Sequence, residues 1–285
     1  MFTEGVFSGG AGHMVTGSAL EQFSLEKLYA GFQISENNPL VGAEARVEIL
    51  QRLGSSLLAN EDIFRGGRPG GIVDYLTRNG SQTIDYAELW STLQKLLIPI
   101  WPADRTKIDG QPIGDAWPLS TLSKHPDIDA SQTGSIIIPF HKLTQWLAYS
   151  LQTPFTRILG TKWDNAGLGT GLPEYRNGGL FVDMGVLTLK PEALAKGLAH
   201  ASSTDGLSCF TAGGEEIVEW RAMTVALLDL LLDRANARGQ FGGASLALPQ
   251  LLEAGSWKTG REIAAEKRPG SRCSPILNDG DGTLF

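Results

Sequence analysis

The chain has 285 residues, 42% of them hydrophobic, so it can bury a substantial core and is not intrinsically disordered. Its 24 basic residues stand against 31 acidic ones, for a net charge of -7. It therefore lacks the broad basic field that binders of nucleic acid or anionic membrane use. Cys209 and Cys273 are the only cysteines, too few for a disulfide framework or an all-cysteine zinc site, and they point to reducing, cytoplasmic surroundings.

The opening stretch MFTEGVFSGGAGHM has no basic-then-apolar leader pattern. The longest apolar run, Thr224 to Leu232, is too short for a membrane span and contains Asp229. Ser24 is placed to cap a helix over LEKLYAGF, where Leu25, Leu28, Tyr29 and Phe32 fall at helical spacing. Gly42 to Leu58 reads as a second helix, with Val47, Leu50, Leu53 and Leu57 on one stripe. The cluster Gly66-Gly67-Arg68-Pro69-Gly70-Gly71 resembles a phosphate cradle but lacks its Lys-Ser/Thr ending, and most such clusters are turns. Asp85 and Glu88 form a capping-box pattern before Leu89, Leu93, Leu96 and Leu97, and Pro99 and Pro102 stop that helix. Asp109-Gly110 marks a turn.

Ile136 to Ile138 suits a short strand, with Pro139 opening a helix over IPFHKLTQWLAYSL. Trp163 to Gly179 reads as a glycine-rich loop, and Phe181 to Leu187 as strand or helix. Glu215 to Arg234 is a long helix, apolar nearly all round, as expected of a helix in the middle of a core. Shorter helices follow over Leu248 to Ala254 and Gly260 to Arg268. The tail around Asn278, Asp279 and Asp281 resembles a calcium loop without its closing Glu. These elements predict a mostly α fold, one helical domain over residues 1–285 with at most a few short strands.

Three places carry chemistry-bearing groups. In the long helix, Glu219 and Arg221 sit two apart, on opposite faces, so each needs a partner across a helix interface. A structural ion-pair network and a site role account for them equally well. The stretch Leu172-Pro173-Glu174-Tyr175-Arg176-Asn177-Gly178-Gly179 brings an acid, an aromatic ring, a guanidinium and an amide to the edge of an apolar segment that holds Asp183. A plain reading is a turn capped by Glu174 and Asn177 with Arg176 at the surface; the density of polar groups favours a site. The spacing of Lys142, Gln145, Trp146 and Tyr149 puts them on one helix face, fit for a planar polar ligand or a phosphate, or equally for an aromatic stripe with a snorkelling lysine. His13, His125, His141 and His200 have no metal-ligand spacing, so no metal or cofactor is expected, and no GxSxG elbow occurs.

The blocks RPGGIVDYL, IPFHKLTQWLAYSL, GLPEYRNGGLFVDMGVL, VEWRAMTVALLD, GSWKTGREIAAEKR and DGTLF resemble, as an ordered set, the family named for uracil catabolism protein 4. Members of that family are generally longer at the N-terminus, so the resemblance implies that this chain lacks their first segment. A more distant resemblance is to the queuosine-phosphate N-glycosidase family, on Phe140, Lys142 and Gln145, on Glu174-Tyr175-Arg176 with Gly185-Val186-Leu187, and on Glu219 with Arg221. That family has an aspartate where this chain has Glu174. The second resemblance implies a fold similar to helix-hairpin-helix DNA glycosylases. Together the two imply hydrolysis of ribosylurea or its 5′-phosphate in uracil catabolism. Glu174 would then be the catalytic carboxylate and Asp183 a holder of ribose hydroxyls or a structural acid. Arg176 and Lys142 would bind phosphate, Trp146 or Tyr175 would stack on the planar group, and Glu219 and Arg221 would orient the others. Competing expectations are a metal-free amidohydrolase on a ureido intermediate and a non-catalytic nucleotide-binding partner of the ring-opening enzyme. The expected partners are a small ribosylated molecule and pathway proteins, not nucleic acid or membrane.

Overall fold

A computed structural model describes residues 1–10 and 12–280. In chain order the elements are α1 (Gly17–Glu21), α2 (Leu25–Phe32), α3 (Ala43–Ala59), α4 (Gly71–Leu76), β1 (Thr83–Asp85), α5 (Tyr86–Leu97), β2 (Lys107–Ile108) and β3 (Gln111–Pro112). Then come β4 (Ala116–Pro118), β5 (Ile137–Pro139), α6 (Lys142–Leu159), β6 (Lys162–Asp164), α7 (Tyr175–Asp183), α8 (Pro191–Leu198), β7 (Ser208–Thr211) and α9 (Glu215–Ala237). The last are α10 (Leu248–Gln250), a π-helical turn over Leu251–Trp257, α11 (Lys258–Lys267) and β8 (Ile276–Asp279). The fold is mostly helical, and the short strands pair two by two: β1 with β6, β2 with β3, β4 with β5, and β7 with β8. Among the described residues no helix is long and apolar enough to cross a membrane.

The single helical domain read from the sequence is organised as two compact units. The first holds residues 1–115 and 150–168, the second residues 116–149 and 169–280. Helical periodicity shows which face of a helix is buried but not which partner covers it, so this division is not written in the pattern.

In the first unit, Phe23, Leu28, Ala43 and Val47 form one core, with Leu25 and Leu50 against it. Ser24 caps α2 by accepting from the Lys27 N–H. Asp85 ends β1 and caps α5 by accepting from the Ala87 N–H. Glu88 does not close the expected capping box; it turns outward to an ion pair with Arg78. Asp109 and Gly110 both have positive φ, which lets β2 and β3 close through a tight hairpin turn. The glycine cluster at 66–71 is a turn that leads into α4.

The second unit is organised by α9, which feeds three cores. Leu228 packs with Leu172, Phe181 and Leu252. Ile217 and Trp220 pack with Phe210 and Ile276. Val218 packs with Leu119 and Phe140. The expectation that this helix is buried all round needs correction. Met223 is 40% and Leu230 56% exposed, and Asp229 also faces outward. Composition around a helix does not reveal which stretch its neighbours reach.

Two further corrections fall on the site segments. Pro139 ends β5 rather than opening a helix, and α6 begins at Lys142. The loop expected up to Gly179 becomes helix from Tyr175. Two glycines inside a helix cost about 1 kcal/mol each in propensity, which hides α7 from pattern reading. Packing explains them. A Cβ on Gly178 would lie 2.6 Å from Thr224 Oγ1 and 2.8 Å from Trp220 Nε1, so the glycine is what lets α7 lie against α9. A Cβ on Gly260 of α11 would lie within 2.1 Å of the Arg176 carbonyl oxygen on the other side of α7. In the acidic tail, Asn278 and Asp279 belong to β8; Asp281, Gly282 and the DGTLF block lie outside the described residues.

Replacing Gly260 with Ala forces α11 off α7 and costs about 1–3 kcal/mol of stability, whereas Gly134→Ala, at a position with nothing within 4 Å, stays within about 0.5 kcal/mol. Urea unfolding of the two variants checks the difference.

Candidate functional site

The site is built at the N-terminus of α7. Glu174 takes an extended backbone conformation and caps the helix: Oε2 accepts from the Arg176 N–H at 2.7 Å and the Asn177 N–H at 3.2 Å. Both bonds fall on one oxygen, and among the described residues no hydrogen bond reaches Oε1. The plain reading of a capped turn is therefore correct for Glu174, but the cap sits in an unusual electrostatic setting. Burial raises the Glu174 carboxyl pKa above the ordinary glutamate value. The Arg176 N–H, the Lys142 ammonium, the Asn177 N–H and the Arg176 charge all pull the other way and do not offset the lost water. A partly buried carboxyl with a raised pKa, one open oxygen and a lysine acting on it is fit to exchange a proton or to face a developing cation.

Asn177 holds this arrangement from below. It is 1% exposed, donates to the Leu172 carbonyl at 3.2 Å and accepts from Ser256 Oγ at 2.9 Å. Ser256 lies in the π-helical turn before α11 and carries no sequence signal that would have found it. Tyr175 packs on the core around Trp220. The Arg176 guanidinium lies 4.7 Å from the Tyr175 ring and donates to the Arg272 carbonyl at 2.8 Å, so the segment after α11 holds it in place.

From α6, Lys142 acts on Glu174 as described. Gln145 is 4% exposed, and its Oε1 accepts from Thr170 Oγ1 at 3.4 Å. Tyr149 donates to the Thr170 carbonyl at 2.9 Å. The two together brace the strand of chain that enters α7. Trp146 does not share their face; it is 54% exposed. The one face expected from spacing thus divides into a buried edge and an outward ring.

Arg221 of α9 is 1% exposed, and its guanidinium lies over the Phe140 ring at 4.1 Å, a cation–π contact across elements of the second unit. Glu219 is partly buried on the same helix. Asp183 is at the far end of α7, nine residues and about 13 Å of helix from Glu174. Its side chain is 4% exposed and clamped by Arg268, Nη1 to Oδ1 at 2.8 Å and Nη2 to Oδ2 at 2.5 Å. The structure therefore does not bring Asp183 to Glu174, and the structural alternative for it is the one its contacts express. Sequence reasoning passed over His141 beyond noting that it lacks metal spacing; it is buried with a positive φ of 43°. Among the described residues no group of three or more His, Cys, Asp or Glu side chains is placed to hold a metal ion.

A family model described as "Protein of unknown function (DUF1688)" matches residues 1–285, and the chain belongs to that family. It is 46% identical over 283 residues to a Lachancea kluyveri protein named "Uracil catabolism protein 4", covering 95% of this chain and 63% of the relative. It is 49% identical to "Protein urg3" of Schizosaccharomyces pombe, covering 100% of this chain and 65% of the relative. The chain thus spans somewhat less than two thirds of the length of these relatives.

Asp183→Asn leaves the Arg268 charge without its partner in a largely buried place and lowers stability by about 3–5 kcal/mol, whereas Glu174→Gln keeps a capping oxygen and costs less than about 1 kcal/mol. The sign at Glu174 follows from its raised pKa: the protonated form favours folding, and that contribution fades as pH rises through the folded-state pKa. The stability of Glu174→Gln relative to wild type therefore increases as pH climbs from the ordinary glutamate range toward neutrality. Denaturant titrations at several pH values check both statements.

Proposed function

We propose that the chain belongs to an N-ribosyl hydrolase of uracil catabolism, acting on ribosylurea or its 5′-phosphate to give urea and a ribose species. The observation that carries the reading is the Glu174 carboxyl, withdrawn from water at a helix N-terminus, with both of its hydrogen bonds among the described residues on one oxygen. The name of one relative, "Uracil catabolism protein 4", supports the pathway part of this reading. The further likeness to helix-hairpin-helix glycosylases belongs to this proposal, as do a cytoplasmic setting and a small ribosylated substrate.

In the reaction the C1′–N bond breaks with its electron pair going to the urea nitrogen, and the sugar passes through an oxocarbenium-like state. The ionised Glu174 lies beneath C1′, stabilises the positive charge and takes the proton of the water that adds to C1′. The departing nitrogen takes a proton from solvent, and Glu174 gives the proton it took from water back to solvent, which regenerates the carboxylate, so one water is consumed for each urea released. Lys142 favours the ionised form of Glu174 and offers donors to sugar hydroxyls or a phosphate. Tyr175 gives a planar surface beside the carboxylate. Arg176 shapes the rim through its bond to the Arg272 carbonyl. Gln145, Glu219 and Arg221 touch no reacting atom; Gln145 and Arg221 hold the chain that carries Lys142 and the approach to Glu174. Asp183 plays no part in the chemistry.

The test is incubation with synthetic ribosylurea and with its 5′-phosphate, following urea and free sugar by mass spectrometry. Wild type releases urea from one of the two, and Glu174→Gln is slower by about 10²–10⁴-fold while remaining folded. Undiminished urea release by the variant rejects the assignment.

A further inference from the structure

Arg268 directly follows α11, and all three nitrogens of its guanidinium are engaged. Nη1 and Nη2 hold the two Asp183 oxygens at the last turn of α7, and Nε donates to the Cys273 carbonyl at 2.9 Å. The ion pair with Asp183 accounts for the first two bonds and has no need of the third. The third bond closes a strap. Between Arg268 and Cys273 the chain reverses: the Arg272 N–H donates to the Arg268 carbonyl at 2.7 Å, and Arg272 has a φ of 53°, in the left-handed region that non-glycine residues rarely enter. Arg272 is exposed, so its own burial does not hold that conformation. Its carbonyl accepts from Arg176 Nη1 at 2.8 Å, back at the first turn of α7. Arg176 also gives its N–H to Glu174 Oε2 at 2.7 Å, and its guanidinium lies 4.7 Å from the Tyr175 ring. The Arg268 side chain thus reaches the last turn of α7 directly and the first turn through the strap.

We infer that Arg268 is a positioning residue for the Glu174 site: fixed on Asp183, its Nε–H grips the Cys273 carbonyl and sets the strap so that the Arg272 carbonyl holds the Arg176 guanidinium at the first turn of α7. This rests on the reading of Glu174 as the reacting group, but the geometry is measurable without substrate. Only a guanidinium can do both tasks, because its planar fork fills the carboxylate while Nε points elsewhere. A lysine at 268 keeps the charge that Asp183 needs but offers one nitrogen, and the Cys273 carbonyl loses its donor. The left-handed turn is the second element of the device: glycine favours it and a β-branched residue resists it.

The experiment is ¹⁵N NMR of the Arg176 guanidinium in the full chain, reading its rotation about the Nε–Cζ bond from the Nη signals. Wild type is compared with Arg268→Lys, Asp183→Asn, Arg272→Gly and Arg272→Val. Arg268→Lys speeds the rotation by about tenfold, the equivalent of one ordinary hydrogen bond. Asp183→Asn is the less stable protein of the two, yet leaves the rotation at the wild-type rate, because Arg268 Nε still reaches Cys273. Arg272→Val speeds the rotation and Arg272→Gly does not. A folded Arg268→Lys protein with the wild-type rate overturns the inference. So does an Asp183→Asn protein loosened as much as Arg268→Lys, since the effect then follows stability alone. Should Arg268→Lys not fold, the Arg272 pair decides: equal rates in the valine and glycine variants overturn the strap. If the rates follow the expected order but no riboside is hydrolysed, the positioning of Arg176 stands and the proposed reaction alone fails.

Discussion

The second unit turns on a conflict at one carboxyl group. Water favours the ionised Glu174, and burial withdraws that water. The first turn of α7 and Lys142 return part of what is lost, through two N–H bonds and a positive charge, and the pKa still stays above the ordinary glutamate value. A fully solvated cap would stabilise the helix more and could do less chemistry. The same residue thus ends a loop, starts a helix and holds a carboxyl at a tension that a developing cation would relieve.

That tension persists because the surrounding frame is close-fitting. Gly178 and Gly260 let α9 and α11 approach α7 more closely than any side chain would allow. Asn177 ties the first turn of α7 to Ser256, and the Asp183–Arg268 pair locks its last turn. Gln145 and Tyr149 fix the incoming chain at Thr170. These contacts hold α7 against α9, the π-helical turn and α11, and they tie down the chain that leads into it.

The sequence made the helical class legible, along with several starts such as Ser24 and Asp85, because caps and periodicity are local signals. It also drew attention to Glu174, Tyr175 and Arg176, since polar groups entering an apolar segment are costly enough to need a reason. It could not show that Asp183 is spoken for, because Arg268 stands 85 residues further on. Nor could it separate Trp146 from Gln145: both fit one helical face, and only the neighbours decide which edge is covered. The helix from Tyr175 was concealed by the very glycines that its packing requires. The left-handed turn at His141 left no trace, since histidine is not the residue that a positive φ advertises.

The central claim is that an ionised, partly buried Glu174 does the chemistry, and the pH dependence of kcat/KM for urea release from the ribosylated substrate tests it most directly. The account predicts an acid limb with a midpoint above the ordinary glutamate value of 4.5, activity rising with pH through it, because the carboxylate form is the working one and burial raises its pKa. A profile that is flat across that range, or that rises toward acid, would contradict it.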